Sequence, residues 1–215
     1  MQTTLEVRWF IKGTPPAAVE HWFKFECPGQ LLTPEAETRE DLYAYGDLNG
    51  YSDKFKEFAP NLAVEEINLK LREGNLELKL REEQFGIETF TQENYRSIWS
   101  GRVEQWCKLD RQELEAAFDF ELADIDWILV YKERLQKSNR GVRRELTRLE
   151  TKGSAWWSIA FEMTTESNNV RANFFREAVE QAAKTYHGPE LLAIYSCGYV
   201  HWLDKLVTSQ RDYTN

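Results

Sequence analysis

Hydrophobic and charged residues alternate strictly along the segment Ile67–Arg81. Leucine or isoleucine takes every second position, and polar residues, most of them charged, fill the positions between. The dipeptide Gly74-Asn75 divides the segment into two such runs. A period of two on both sides of a Gly-Asn dipeptide predicts two antiparallel strands joined by a tight turn, with one apolar face and one charged face.

A two-residue turn at Gly74-Asn75 determines which side chains of this hairpin face each other. It would place Arg72 opposite Glu77 and Lys70 opposite Lys79. Two directly opposed lysines disfavour a hairpin by up to about 1 kcal/mol, so something must compensate for them. Two explanations stay open: water and salt cover an exposed charged face, or the face lines a cavity that holds a polyanion.

The same alternation predicts an antiparallel sheet of at least seven strands. Beyond the hairpin, the predicted strands are Thr3–Lys12, Gly101–Leu109, Trp127–Gln136, Val142–Glu150 and Ala155–Met163, with a shorter one at Asp41–Leu48. Hydrophobic spacings of three and four predict helices at Pro15–Phe25, Arg171–Tyr186 and Gly198–Val207, and a short helical turn at Glu113–Phe118. In the first helix we expect Ala18, Trp22 and Phe25 to be buried. The fold class expected is α+β, in one domain that spans residues 1–215.

The amino-acid composition limits the cellular compartments and the classes of partner that we expect. The chain of 215 residues carries a formal net charge of −9, which argues against a surface devoted to nucleic acid or to an anionic membrane. Its three cysteines are widely spaced, so neither a disulfide framework nor a zinc cluster is expected. No apolar run reaches the length of a membrane span, and the first residues lack the pattern of a secretory signal. We expect a cytoplasmic protein.

One face of the predicted strands is strongly basic although the chain is acidic. Its basic positions outnumber the acidic ones by at least two to one, and together they are Glu6, Arg8, Lys12, Lys70, Arg72, Glu77, Lys79, Arg81, Lys108, Lys132, Arg134, Arg144, Arg148, Glu150 and Glu162. A sheet with one solvent-exposed side would also alternate. Closing about eight strands into a barrel would instead enclose an interior for one small ligand. Such a lumen would attract small polyanions, and its glutamates are the ligand type of Mg²⁺ or Mn²⁺.

Short motifs in order along the chain resemble the CYTH family of triphosphate tunnel metalloenzymes. They are Glu6-Val7-Arg8, Lys70-Leu71-Arg72-Glu73-Gly74, Leu76-Glu77-Leu78-Lys79, Trp106-x-Lys108, Lys132-x-Arg134, Phe161-Glu162 and Tyr199-x-x-Trp202-Leu203. The resemblance spans nearly the whole chain, although each motif alone is short. It implies an eight-stranded antiparallel β-barrel or tunnel with flanking helices, in which basic residues hold a triphosphate and glutamates hold a divalent metal. Activities known in the family include inorganic triphosphatase, thiamine triphosphatase, adenylate cyclase and RNA triphosphatase.

The first strand departs from the family's signature, which is Glu-x-Glu-x-Lys. The corresponding positions here are Thr4, Glu6 and Arg8. Arginine can bind phosphate through two parallel hydrogen bonds, which preserves anion binding at the third position. The glutamate missing at Thr4 removes a metal ligand, and phosphoryl transfer depends on charge neutralisation by the metal. Two outcomes therefore stay open: metal-dependent hydrolysis, or a phosphoanion-binding or interaction module without catalysis.

On this hypothesis the ligand is a triphosphate-containing small molecule or inorganic polyphosphate. The residues expected to hold phosphate are Arg8, Lys70, Arg72, Lys79, Lys132, Arg134 and Arg148. Those expected to face an Mg²⁺ or Mn²⁺ ion are Glu6, Glu77, Glu150 and Glu162. The sequence does not single out a catalytic base.

Two other ligand classes have some support in the pattern. The basic hairpin Lys132–Lys152, with aromatic residues nearby, is a candidate for single-stranded nucleic acid, although the overall negative charge opposes this. A barrel that holds an apolar ligand would need a lumen lined by apolar and aromatic side chains.

Overall fold

The computed structural model describes residues 2–45, 66–91, 97–109, 125–165 and 170–211. Its strands are β1 (Gln2–Lys12), β2 (Gln30–Leu31), β3 (Glu37–Tyr45), β4 (Glu66–Arg72), β5 (Asn75–Thr89), β6 (Ser100–Leu109), β7 (Asp126–Asn139), β8 (Val142–Thr151) and β9 (Ser154–Thr165). Its helices are α1 (Ala17–His21), α2 (Val170–Lys184) and α3 (Tyr199–Arg211). The helical turn predicted at Glu113–Phe118 and the last three residues of the strand predicted at Asp41–Leu48 lie outside the described residues.

Eight of these strands close into an antiparallel β-barrel. The hydrogen-bonded order is β7, β3, β4, β5, β6, β1, β9 and β8, and β8 pairs back to β7. That last pairing runs from Asn139 opposite Val142 to Tyr131 opposite Glu150. The short strand β2 pairs with β7 beyond the end of β3. Closure confirms the predicted fold class, an eight-stranded antiparallel barrel with flanking helices.

The β4–β5 hairpin keeps the predicted faces but not the predicted register. Its turn residues are Glu73 and Gly74, with φ of 50° and 75°, which is the backbone conformation that a two-residue hairpin turn favours. Lys70 therefore pairs with Glu77 and not with Lys79. The shift is two residues, so every side chain stays on its expected face. The predicted pair of opposed lysines is wrong, and an ion pair of 3.0 Å stands in its place.

The apolar faces of several strands point out of the barrel and lie beneath the helices. Leu5, Val7 and Trp9 of β1 pack in one core with residues of β9, α1 and α2. Within this core the rings of Trp22 and Trp99 meet edge to face, with centroids 5.9 Å apart. Because successive side chains of a strand point to opposite faces, the charged residues between these apolar ones turn inward.

Helix α1 buries a different set of residues from the predicted one. Val19, Trp22 and Phe23 are buried, whereas Ala18 is exposed and Phe25 is 74% exposed. From Trp22 onward the chain widens into a π-helical turn, and a wider turn changes which residues share a face. The prediction is therefore confirmed for Trp22 and wrong for Ala18 and Phe25.

Helix α3 closes one end of the barrel. Its buried side chains Trp202, Leu203 and Val207 pack against inward-facing residues of four strands, which are Phe10, Tyr43, Ile128, Val130 and Leu149. We call this closed end the floor, and the opposite end, lined by Gln2 and Thr164, the mouth. Within the part of the chain that the structure describes, no helix is both long and apolar enough to span a membrane.

Candidate functional site

A cavity of about 320 Å³ lies between the floor and the mouth of the barrel. Among the described residues, its lining includes five glutamates and nine basic side chains, which are Arg8, Arg39, Lys70, Arg72, Lys79, Lys108, Lys132, Arg134 and Arg143. Seven of the eight barrel strands supply at least one of these bases. The lining therefore has a formal excess of four positive charges in a chain whose formal net charge is −9. Burial holds the pKa of one of these bases, Lys132, well below its ordinary value.

Asp41 of β3 lies behind this basic lining and is fully buried. Its carboxylate is 2.8 Å from Lys132, 3.4 Å from Arg39 and 3.5 Å from Arg72. Burial by itself raises the pKa of Asp41, but Lys132 and Lys70 outweigh it and hold the pKa below its ordinary value. One carboxylate thus positions three cations without neutralising them all.

Glu77 plays the same part on β5. It lies 2.7 Å from Arg72, 3.0 Å from Lys70 and 3.2 Å from Lys108. Burial opposes its ionisation, yet Lys70 and Arg72 lower the pKa of Glu77 to about 2. Burial also lowers the pKa of Lys70 to about 8, against the attraction of Glu77. Glu77 is therefore ionised at neutral pH, and Lys70 begins to lose its charge at a pH just above neutral.

Glu145 of β8 joins two arginines from different strands. Its carboxylate lies 2.8 Å from Arg8 and 3.1 Å from Arg134, and it accepts a hydrogen bond of 2.9 Å from the hydroxyl of Thr147. Burial raises the pKa of Glu145, but Arg8 and Arg134 outweigh it and hold the pKa far below its ordinary value. The shared carboxylate ties β1, β7 and β8 together across the interior.

Several cationic groups of the cavity have hydrogen-bond donors that no protein acceptor satisfies. The Nε atoms of Arg39 and Arg134 are buried and have no hydrogen-bond partner among the described residues. Arg143 lines the same cavity, where it is exposed to solvent, and it has no ion pair with any residue that the structure describes. A buried donor without an acceptor costs about 1–3 kcal/mol. An anion entering the cavity would supply oxygen acceptors to donors that the protein leaves unsatisfied.

Two stacked tyrosines form the base of the cavity. The rings of Tyr43 and Tyr199 lie 4.9 Å apart at an interplanar angle of 12°. The guanidinium of Arg8 lies 4.8 Å from the ring centroid of Tyr199, and the ammonium of Lys132 lies 3.9 Å from it. Lys132 also donates a hydrogen bond of 2.6 Å to the hydroxyl of Tyr43. Because a cation is attracted to the face of an aromatic ring, the start of α3 helps to position two cations of the site.

The wall at β1 and β9 holds two of the predicted metal ligands. Glu6 and Glu162 are directly paired across these strands. The ammonium of Lys79 contacts Glu6 and lies 3.7 Å from Glu162, and the hydroxyl of Thr4 donates to Glu6 at 2.9 Å. No cluster of three or more metal-ligating side chains occurs among the described residues. In this arrangement the two carboxylates fit a lysine ammonium, whereas Mg²⁺ or Mn²⁺ would require that the ammonium leave.

Nine of the eleven predicted site residues line the cavity, which are Glu6, Arg8, Lys70, Arg72, Glu77, Lys79, Lys132, Arg134 and Glu162. Arg148 and Glu150 are exposed on the outside of the barrel, where Arg148 forms ion pairs with Glu20 and Glu133. Their predicted inward placement is wrong. The prediction turned the wrong face of β8 inward: Arg144 of that face donates to the carbonyl of Ala178 in α2, so the face packs beneath a helix.

Five charged residues of the site escaped the prediction, which are Arg39, Asp41, Glu104, Arg143 and Glu145. Arg143 and Glu145 alternate along β8 as regularly as Arg144 and Arg148 do, so alternation in that strand supported both faces equally. Arg39 and Asp41 are two residues apart in β3 and therefore share a face, a spacing that can be read from the sequence.

The side-chain positions also bear on the two other ligand classes. Lys132 and Arg134 of the basic hairpin point into the barrel, and Lys137 and Arg144 are buried. The described part of the hairpin therefore presents no continuous basic surface to a nucleic acid. The cavity lining is rich in charge, which differs from the apolar lining that an apolar ligand would need.

Comparison with known proteins gives similarity in structure only. No family model and no curated protein sequence matches the chain. A conserved hypothetical protein from Pyrococcus furiosus is 14% identical with a TM-score of 0.45, and the match covers 92% of this chain and 98% of that one. The RNA triphosphatase Pct1 of S. pombe is 8% identical with a TM-score of 0.47, over 86% of this chain and 85% of that one. The triphosphatase of the mimivirus capping enzyme is 10% identical with a TM-score of 0.42, and the match covers 82% of this chain and 88% of that one.

Proposed function

We propose that the barrel binds a triphosphate-containing small molecule or an inorganic polyphosphate. The observation that carries this proposal is the convergence of nine bases from seven strands on one cavity of about 320 Å³. A concave site lined by one sign of charge focuses its field and concentrates small ions of the opposite sign. The volume lies at the small end of the range for ligand pockets, which suits a compact polyanion. The buried, unpaired Nε donors of Arg39 and Arg134 support the same ligand class.

We further propose that the chain is a divergent member of the CYTH family of triphosphate tunnel proteins. Support comes from the motif residues Arg8, Lys70 and Lys132, which line the interior of a closed eight-stranded barrel. The three cysteines are buried, and none of them forms a disulfide bond among the described residues, which supports a reducing compartment such as the cytoplasm.

Binding is a better-supported function than hydrolysis. Metal-assisted hydrolysis of a phosphoanhydride depends on a metal ion that neutralises and positions the reacting phosphate. The carboxylates that would hold Mg²⁺ or Mn²⁺, Glu6 and Glu162, both lie within ion-pair distance of Lys79. Thr4 offers a hydroxyl that donates to Glu6, and it adds no carboxylate. We therefore propose a phosphoanion-binding protein, with no hydrolytic step assigned to its residues.

Isothermal titration calorimetry with inorganic triphosphate tests this function. We expect saturable binding that weakens with added salt, and weaker binding of orthophosphate. R143Q should reduce the affinity for triphosphate about tenfold or more, because a hydrogen bond to a charged group contributes about 1.5–3 kcal/mol. R148Q removes an arginine from the outer surface of the same strand and should leave the affinity unchanged. No binding by the wild type, or equal losses in the two variants, would contradict the proposal.

The affinity for triphosphate should also fall as the pH rises above about 8. Burial lowers the pKa of Lys70 to about 8, so this lysine loses its positive charge in a range where a free lysine keeps it. In K70R the charge persists because the guanidinium has a much higher pKa. Titrations from pH 7 to 9.5 should show a loss of about tenfold in the wild type relative to K70R. Parallel pH profiles for the two proteins would exclude a role for Lys70 protonation.

A further inference from the structure

Three glutamates form a row on the inner wall of the barrel. Glu6 of β1 pairs with Glu162 of β9 on one side and with Glu104 of β6 on the other. Side chains at directly paired positions project from the same face of a sheet as near neighbours. Three adjacent carboxylates would repel a phosphoanion, so this row is an acidic strip in a cavity that is otherwise basic.

The glutamates of this row have different partners. Glu104 accepts hydrogen bonds of 3.1 Å from the guanidinium of Arg81 and from the indole of Trp106. Glu6 and Glu162 share the ammonium of Lys79, which contacts Glu6 directly and lies 3.7 Å from Glu162. Among the described residues, Lys79 is therefore the cation that lies within ion-pair distance of both carboxylates.

We infer that Lys79 is the resident counter-ion of Glu6 and Glu162, and that the cavity therefore binds phosphoanions without a divalent metal. The ammonium is a compact point charge with three donors, and it lies beside the carboxylates that Mg²⁺ or Mn²⁺ would need as oxygen ligands. A divalent cation at the same place would be repelled by the ammonium. This inference rests on the proposed function, because it concerns how the same cavity receives its ligand.

Two measurements on the wild-type protein test the inference. Calorimetry should give saturable binding of inorganic triphosphate in buffer containing EDTA. Electron paramagnetic resonance of Mn²⁺ should show no bound Mn²⁺ in the ligand-free protein. Triphosphate binding that occurs only when Mg²⁺ is present, or Mn²⁺ bound by the ligand-free wild type, would overturn the inference and leave the proposed function standing. Failure of triphosphate to bind in either buffer would overturn the proposed function, and the inference with it.

Variants at Lys79 extend the test by gain of binding. K79M removes the ammonium and leaves Glu6 and Glu162 without their shared lysine, so it should bind Mn²⁺ at least tenfold more tightly than the wild type. The double variant K79M/E6Q should lose that gain. K108M is the matched control, because Lys108 is paired with Lys79 on the adjacent strand but contacts Glu77, and it should gain no Mn²⁺ binding. Equal Mn²⁺ affinity in K79M and K108M, in folded protein, would contradict the role given to Lys79.

Discussion

Replacing Glu145 by glutamine is expected to lower the free energy of unfolding by about 3–5 kcal/mol. The carboxylate is the shared partner of Arg8 and Arg134, at 2.8 Å and 3.1 Å, and all three side chains are largely buried. Glutamine keeps the shape but removes the negative charge, which leaves the guanidinium of Arg8 without its carboxylate partner and that of Arg134 with only the exposed Glu37. Urea unfolding, followed by tryptophan fluorescence, measures the loss.

Two comparisons make the E145Q experiment specific. E150Q alters an exposed glutamate on the outer face of the same strand and should change stability by no more than about 0.5 kcal/mol. Saturating triphosphate should restore part of the stability lost in E145Q, because a ligand that binds only the folded state stabilises it by about 2.7 kcal/mol at one hundred times its Kd. A loss in E145Q no larger than that in E150Q would show that Glu145 does not balance the buried arginines.

The inner faces of β1, β4 and β5 followed from alternation alone. In these strands every apolar residue of one face is large, as in Leu5, Val7 and Trp9, so the choice of which face meets the outer core was unambiguous. The error in the turn of the β4–β5 hairpin did not alter the faces, because a shift of two residues preserves the direction of each side chain. Strand faces are therefore predictable wherever the two sets of side chains differ clearly.

Strand β8 lacks that difference, and its faces depend on tertiary packing. Both of its faces carry charge: Arg143 and Glu145 alternate with Arg144 and Arg148. The choice is decided by α2, against which Arg144 is buried with only 1% of its surface exposed. Arginine is seldom fully buried. The hydrophobic pattern therefore does not predict that Arg144 is buried and donates to a helix carbonyl. This is why Glu145, a central residue of the cavity, was missed and Arg148 was included.

The hydrophobic pattern of α3 itself did not predict its position. Its sequence predicts an amphipathic helix from residue 198 to 207, and the structure has a helix at Tyr199–Arg211. An amphipathic helix must bury its apolar face. It can do so against the outside of a barrel or by closing an open end of the barrel. Phe10 and Trp156 indicated the answer, because apolar residues occur at the end of the otherwise polar inner faces of β1 and β9. These residues need an apolar partner inside the barrel, and α3 supplies it.

Replacing Trp202 by alanine is expected to lower the free energy of unfolding by about 3–5 kcal/mol and to weaken triphosphate binding. Trp202 is 2% exposed and stacks on Phe10 with ring centroids 4.5 Å apart. It also meets Trp156 and Tyr199 edge to face, each at 5.9 Å. Loss of the indole would loosen α3 and displace Tyr199. The ring of Tyr199 contacts the cationic groups of Arg8 and Lys132.

The control for W202A is D204A, which changes an exposed residue on the same helix and should shift stability by no more than about 0.5 kcal/mol. Chemical denaturation gives the stability of both variants, and calorimetry at a temperature where each is folded gives the affinity for triphosphate. The two effects of W202A should occur together, because the helix that fills the floor also supplies the ring beneath the cations. Unchanged affinity in folded W202A would show that α3 closes the barrel without shaping the site.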